Sequence, residues 1–520
     1  MTDTPIEKRE GDDDVVTTTT TPILANAEST ETTTTKETVI NENNDDENEN
    51  SAEDPNDYLR IRNGDRLGST AKRQRLLKKE QNTRIVDENG NPVYANEKRR
   101  PKKKVACMIG YCGTGYHGMQ LNPPDKTIEG ELFEAFIKSG AISQNNSNDL
   151  KKNGFMRAAR TDKGVHAAGN VVSLKMIIED NDIVEKINSF LPEQIRLWGY
   201  QRTNNAFDCR KMCSSRIYEY LMPTYSFLPP RPGTVLAKEI EKAEKEFKGT
   251  TREDKEGEEF WINLMNKCKD AGVTDNEIDQ IYEANRIGLD LSVPLEAAAI
   301  NFRKISRECR GQYRISNERL ELVRKALNIY VGSHNFHNFT IGKSYKDPSA
   351  RRYMKSFKVS EPFLIEGTEW ISIKVHGQSF MLHQIRKMIG MVALVIRTGC
   401  PLERIEEAFG ENKINIPKAP ALGLLLEQPV YDGYNQKLTG DFGREALGFD
   451  KYEKEMDAFK HKFIYDKIFN EEQKEHVFSG FFSFIDAFNG VHENSGLPIF
   501  QFLTAHGIVG NNQPINDGDE

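Results

Sequence analysis

Between Lys104 and Val105 this chain changes character, and that boundary limits what can fold. Residues Met1 to Arg60 carry 17 Asp/Glu against 4 Lys/Arg, with threonine runs at Thr17–Thr21 and Thr32–Thr35 and an Asn/Glu/Asp tract at Asn41–Asn50. So few large apolar side chains cannot offset the chain entropy lost on folding, and this tail is expected to be disordered. Residues Ile61 to Lys104 reverse the sign, with 14 basic against 5 acidic side chains. These two stretches largely cancel and leave a net of −4 on the remaining residues, so the overall charge of −8 says nothing about what the folded part binds. The basic stretch ends in Lys98-Arg-Arg-Pro-Lys-Lys-Lys104, a nuclear address or nucleic-acid-contacting arm, or else a solvated charge run at a domain edge.

Past that boundary, apolar runs with the two protein periodicities begin. Val105–Tyr111 predicts a strand ending in a glycine-rich turn. Ile128, Leu132, Phe133, Phe136 and Ile137 share one face of a helix over 128–139, which Thr127 caps and Gly140 stops. Asn170–Ile178, Ile195–Arg202 and Ser214–Met222 read as strands, with a short helix at Asp182–Phe190. From 237 to 315 the chain is rich in Glu and Lys, helical in period and without strand signal. A helix at Asn317–Val331, strands near Tyr353–Val359 and Trp370–His376, and an apolar helix at Met381–Arg397 follow. The expected division is a tail over 1–104, a first α+β half over 105–236, a helical insertion over 237–315, a second half over 316–434 and a helical extension over 435–520. No apolar stretch is long enough to span a bilayer, no signal-peptide core opens the chain, and seven cysteines do not make a disulfide scaffold. A soluble intracellular protein, with no membrane partner, is expected.

The densest chemistry sits in Arg157-Ala-Ala-Arg-Thr-Asp-Lys-Gly-Val-His166. One carboxylate, Asp162, has Arg157, Arg160, Lys163 and His166 within five residues, and Gly164 allows a sharp turn beside it. Surrounding positive charge favours the charged form of an aspartate, which then serves as a nucleophile or stabilises a cationic sugar centre, while arginines grip phosphate. The same residues would equally make a turn-capping aspartate among surface basic groups.

Other motifs carry paired readings. Gly113-Thr-Gly-Tyr-His-Gly118 matches a dinucleotide fingerprint by letter, but Asn122-Pro123-Pro124 intervenes before the helix that should open at once. Cys107/Cys112 with Cys209/Cys213, or His334 with His337, would supply structural zinc ligands, at spacings looser than zinc ribbons use; packing within strands is the expected alternative. Strand alternation puts Arg216, Tyr218 and Tyr220 on one face, offering a ring for a base to stack on, or else two core tyrosines. Arg386 is a charge in an apolar helix and calls for an anionic partner, with Asp162 a candidate, unless it reaches solvent at the helix rim.

Six ordered blocks resemble the TruA-type tRNA pseudouridine synthases: Tyr111-Cys-Gly-Thr-Gly-Tyr-His-Gly-Met-Gln120, Arg160-Thr-Asp-Lys-Gly-Val-His-Ala167, Arg216-Ile-Tyr-Glu-Tyr220, Gly332-Ser-His-Asn-Phe-His-Asn-Phe-Thr340, Gly377-Gln-Ser-Phe-Met-Leu-His-Gln-Ile-Arg386 and Ala419-Pro-Ala-Leu-Gly-Leu424. The basic run, insertion and extension resemble the eukaryotic nuclear branch. The resemblance implies an α+β fold, with two halves forming a central, largely antiparallel sheet flanked by helices and the active cleft between them. It implies conversion of uridine to its C-glycoside isomer in tRNA, extending to small nuclear and messenger RNA, in the nucleus, by a monomer without an organic cofactor. It implies Asp162 as nucleophile or charge stabiliser, Tyr218 stacked on the uracil, Arg386 paired with Asp162, and Arg160 holding the extruded nucleotide. Arg157, Lys163 and His166 are further candidates for substrate contact. Two other classes remain: an RNA-binding protein of the same fold that helps tRNA fold without catalysis, and a nicotinamide enzyme built on Gly113, Gly115 and Gly118.

Overall fold

A computed structural model describes residues 100–246, 253–287, 290–441 and 443–487. The expected disordered tail and most of the basic run lie outside these residues. The last residues of that run belong to the fold: Arg100 pairs with Glu179 and Asp180, Lys102 donates to Ser143, and Lys104 is buried and donates to the Gly154 carbonyl.

The first strand, β1 (Lys103–Tyr111), explains its own apolar run, because nearly every side chain along it is buried. Val105, Cys107, Ile109 and Tyr111 enter one core while Ala106 and Met108 enter the other, as period-2 alternation requires of a strand covered on both faces. Its neighbours β3 (His166–Met176) and β4 (Ile195–Arg202) pair with it antiparallel, and the two-residue β2 (Met156–Arg157) lies against β3. Helices α1 (Ile128–Lys138) and α2 (Ile183–Phe190) bury Ile128, Leu132, Phe136, Ile183 and Ile187 over one face. The Thr127 side chain accepts from the Gly130 amide, and Gly140 turns left-handed after the last turn, so both sequence-read ends of α1 hold.

The sheet continues through β5 (Ser215–Pro223), β9 (Thr368–Gly377), β7 (Arg351–Val359) and β6 (Gly332–Asn335), with β8 (Phe363–Ile365) against β9. Its order is β4-β1-β3-β10-β5-β9-β7-β6, and β10 (Leu424–Val430) stands between β3 and β5. Late in the chain, β10 thus completes the sheet between two early strands. It runs parallel to β3 and antiparallel to β5, and the other pairings among the described strands are antiparallel. The fold is α+β with a central, largely antiparallel sheet.

Between 235 and 312 lie four helices, α3 (Val235–Glu246), α4 (Lys255–Asp270), α5 (Asp275–Ile287) and α6 (Val293–Gln312), joined to the core by Phe260, Trp261, Leu264, Ala299 and Phe302. Arg319, at the start of α7 (Asn317–Asn328), locks their base: it pairs with Asp254 and Glu256 and donates to the Phe227 carbonyl. The apolar helix α8 (Gln384–Thr398) starts three residues later than its apolar periodicity indicates, because His383 adopts a left-handed conformation and breaks the preceding turn. The short helices α9 (Glu403–Glu407) and α10 (Asp432–Gly440) precede the end of the described chain, where α11 (Glu453–Phe459), a π-helical stretch (Lys460–Tyr465), α12 (Asp466–Glu475) and α13 (Val477–Ala487) follow.

The last of these elements reaches back deep into the core. Asp486 accepts two 2.6 Å hydrogen bonds from Arg397, whose other nitrogen donates to Leu228 O, all in buried surroundings. Burial pushes the Asp486 carboxyl up while Arg397 opposes the shift. Asp486→Ala strands a buried guanidinium and is expected to lower stability by about 3–5 kcal/mol. The paired apolar replacement Arg397→Met/Asp486→Leu is expected to recover most of that loss. Denaturant unfolding of both variants is the check, and equal losses would contradict the account.

Candidate active site

Two loops with almost nothing between their backbones form the base of the site. Residues 113–119 leave β1 and cross the decapeptide loop that precedes β3. Met119 N donates to Thr161 O at 3.1 Å, Gly164 N to Tyr116 O at 3.2 Å, and Gly113 N to His166 Nδ1 at 3.1 Å. A Cβ at Gly113 would stand 2.3 Å from Val165 O, and one at Gly118 (φ +94°) 2.8 Å from Thr161 O. Two of the three glycines that mimic a dinucleotide fingerprint, Gly113 and Gly118, let one backbone lie on another, and the nearest helix begins only at Ile128. From the other side, Tyr111 Oη meets Thr161 Oγ1 at 2.9 Å, and Asn170 Nδ2 donates to Ala159 O at 3.1 Å and to Tyr111 Oη at 3.3 Å. Val165 N closes the turn on Asp162 O.

Asp162 is therefore aimed by backbone. Among the described residues its carboxylate makes no ion pair, so the charge crowding seen in the sequence is not what holds it. It is exposed and lines a cleft of about 600 Å³ whose walls come from residues 156–165, from β5 and from residues 379–386, with Leu424. Tyr218 and Arg386 line the same cleft. The Tyr218 ring is half-buried and meets Phe380 edge-on at 5.1 Å. Its hydroxyl is pushed up to about 12, chiefly by burial; Arg216 opposes this and the Asp162 carboxylate adds to it. Arg386, on the first turn of α8, donates from Nε to Ala419 O at 2.6 Å, while Ala419 N returns a bond to Arg386 O. That exchange explains the Ala419–Leu424 block: it is the collar that seats the arginine. Tyr220, the next residue on the same strand face, leaves the cleft and bonds Pro420 O at 2.7 Å in the core.

The remaining sequence candidates separate. Arg160 lines the cleft and is exposed; burial of part of its chain, then Arg157 and Arg210, pull its guanidinium below the ordinary value. Arg157 also lines the cleft but is spoken for by Glu129, a fully buried carboxylate that accepts from Leu121 N and that burial pushes up. Lys163 is exposed and outside the cleft lining. His166 is 2 % exposed, faces the 113–119 loop, and is held down to about 4 by burial, so it serves the scaffold as a neutral acceptor.

Sequence reasoning passed over Arg210, Phe380 and His383, which also line the cleft, and took Arg216 only as a companion of Tyr218. Arg216 ties the halves together by donating to Ala158 O at 3.0 Å and Gln378 O at 3.3 Å. The zinc candidates do not converge: Cys209 bonds Met156 O, Cys213 bonds Ser215 O, and His334 stacks on Phe409 at 4.2 Å. Among the described residues no group of three or more His, Cys, Asp or Glu gathers to hold a metal ion. A larger cavity, about 990 Å³, lies between α6, the β8–β9 turn and α12–α13 and contains none of the sequence candidates.

A lone carboxylate beside a half-buried tyrosine, in a cleft walled by five arginines and carried on a largely antiparallel sheet, offers guanidinium groups that suit phosphate and a ring that suits a nucleic-acid base. Comparison with known proteins agrees. The family described as tRNA pseudouridine synthase matches residues 326–432. "tRNA pseudouridine synthase 1" of Yarrowia lipolytica is 57 % identical over 458 residues, covering 86 % of this chain and 84 % of that protein. The protein of the same name from Saccharomyces cerevisiae is 55 % identical over 442 residues, covering 82 % and 81 %. The "tRNA pseudouridine(27/28) synthase" of Saccharomyces cerevisiae is 41 % identical over 376 residues, covering 72 % of this chain and 96 % of its own length. The chain belongs to the TruA-type pseudouridine synthase family and is an isomerase of RNA nucleosides.

Gly118→Ala forces a Cβ against Thr161 O at a positive φ, so the Asp162 loop must shift; turnover is expected to fall at least about a hundredfold, as misplacement of a reacting group by an ångström does. RNA binding by that variant, measured by filter retention, should stay within a few-fold. His166 gives a stability prediction with a definite sign. The unfolded chain takes up this proton near 6.5 and the folded chain only near 4, so stability is lost as pH falls between those values. His166→Asn, which keeps an acceptor for Gly113 N, should flatten that acid limb in melting curves between pH 7 and 4.5.

Proposed function

We propose that this chain converts uridine to pseudouridine in tRNA, with Asp162 acting while the N1–C1′ bond breaks. The observation that carries the reading is the convergence of Asp162, Tyr218 and Arg386 on one arginine-walled cleft from three segments successively 56 and 168 residues apart in sequence. A uracil inside a stem must leave the stack before its glycosidic bond is reached, at a cost of a few kcal/mol. Arg160 on the backbone and the Tyr218 ring under the base offset that cost. Asp162 then serves as nucleophile or charge stabiliser, and Arg386 balances its charge across the cleft. The uracil rotates while held, C5 bonds to C1′, and the C5 proton is lost while N1 gains one. A Tyr218 hydroxyl near 12 stays protonated at neutral pH, so the ring's part is stacking, and any part in moving the C5 proton requires it to hand on its own. Phe380 and Leu424 at the cleft wall keep water from intercepting the sugar.

In this reading the enzyme works without an organic cofactor, as a monomer, in the nucleus, and reaches small nuclear and messenger RNA as well as tRNA. The names of its relatives support tRNA as substrate. A second reading, an RNA-binding protein of this fold that aids tRNA folding without catalysis, is opposed by the intact Asp162, Tyr218 and Arg386. Asp162→Ala should abolish tritium release from tRNA labelled at uridine C5 while leaving RNA affinity within a few-fold. Wild-type protein that releases no tritium from any tRNA would remove the catalytic reading and leave the binding one.

A further inference from the structure

The five arginines lining the cleft divide by what already occupies them. Arg157 is paired with buried Glu129, Arg216 donates to Ala158 O and Gln378 O, and Arg386 donates to Ala419 O. Arg160 and Arg210 have exposed side chains that, among the described residues, make no hydrogen bond or ion pair. Two uncommitted guanidinium groups on one wall repel each other, an arrangement that an incoming anion relieves.

Arg210 is also held in place with more care than a surface arginine needs. Its amide and that of Lys211 both donate to Asp208 Oδ1, at 2.9 and 3.0 Å, fixing a tight turn. Buried Phe207 and Cys209 anchor the turn on either side: Cys209 Sγ bonds Met156 O, next to Arg157, and Cys209 O accepts from Tyr431 Oη at 2.9 Å. The stem of Arg210 is thus pinned to the segment that runs through Arg157 to Asp162, so its spacing from Asp162 is set by the fold.

We propose that Arg210, together with Arg160, forms a phosphate clamp that holds the RNA backbone beside the uridine being isomerised, while the other three arginines shape the cleft. The chemistry recognised is a phosphodiester oxygen pair, which a planar guanidinium fork matches. This inference rests on the reading of the chain as a tRNA-modifying enzyme and adds a residue and a ligand group to that site.

The test uses full-length protein and a tRNA substrate. Arg210→Gln is expected to raise Kd about tenfold to a hundredfold, the loss typical of a charge-assisted contact, with little change in the rate at saturating RNA. The slope of log K against log salt should shrink by about 0.7 to 0.9, one phosphate contact fewer. Arg210→Lys should restore the slope and part of the affinity, which a purely structural role would not do. A neutral methylphosphonate linkage is then walked one position at a time through the nucleotides flanking the target uridine. At one position it should weaken binding by the wild type clearly more than binding by Arg210→Gln, in which only Arg160 still holds that phosphate. An unchanged salt slope in Arg210→Gln, or equal sensitivity of both proteins to every neutral linkage, overturns the clamp. An inactive wild type would instead count against the functional reading beneath it.

Discussion

The site depends on one close approach of backbone to backbone, where residues 113–119 lie on residues 161–165. Two backbone hydrogen bonds join the loops, a third runs from Gly113 N to the His166 ring at the start of β3, and the absence of side chains at Gly113 and Gly118 permits the approach. An exposed carboxylate has no burial to fix its position, and a flexible aspartate would sample many rotamers before meeting a ribose. Here its peptide is secured on both sides: by the crossing loop, and by the buried Tyr111–Thr161–Asn170 network beneath it. Positioning by main chain leaves the carboxylate exposed and, among the described residues, without an ion pair.

Sheet order carries the same idea to a larger scale. Because β10 is inserted between β3 and β5, the strand following Asp162 and the strand bearing Tyr218 are both hydrogen-bonded to one segment from the far end of the family region. Gly423, just before β10, approaches Leu221 O so closely that a Cβ would sit 2.2 Å away. The strands flanking Asp162 and bearing Tyr218 are therefore spaced by a shared ladder, and the crossing loops place Asp162 on that frame. Arg216 adds a cross-tie from β5 to Ala158 and to Gln378, joining the wall that holds Arg160 to the one that holds Arg386.

Much of this was legible in the sequence, and the failures have physical causes. Strands such as 195–202 and the capped helix at 128 announce themselves through local periodicity, and their boundaries hold. The central β10 passed unread because Leu424–Val430 contains Pro429 and Glu427, which speak against a central strand; a register shift between Leu426 and Gln428 accommodates the irregularity. Proximity in sequence drew His166 into the site, yet it answers a backbone amide 53 positions earlier, and Arg157, which does line the cleft, is paired with a buried glutamate 28 positions earlier. Arg210 was missed for the converse reason: its neighbours in the cleft lie some 50 residues upstream, and nothing in Cys209-Arg-Lys-Met212 marks it.

The late helices look remote from chemistry, but alternation along β5 gives them a hold on it. Tyr218 faces the cleft, so Glu219 must face the opposite side of the sheet, where it is buried. Its two oxygens are taken by Ser372 of β9 and by Tyr465 at the end of the π-helical stretch, the latter at 2.8 Å. Glu427 of β10 is held on the same side by Lys460, and Trp370 of β9 packs edge-on against Phe469 and Phe478. A carboxylate buried next to Tyr218 on the strand would be costly without these partners. Satisfying it from the rear therefore braces the strand residue that lines the cleft in front, and it ties the late helices to β5 from the face opposite the cleft.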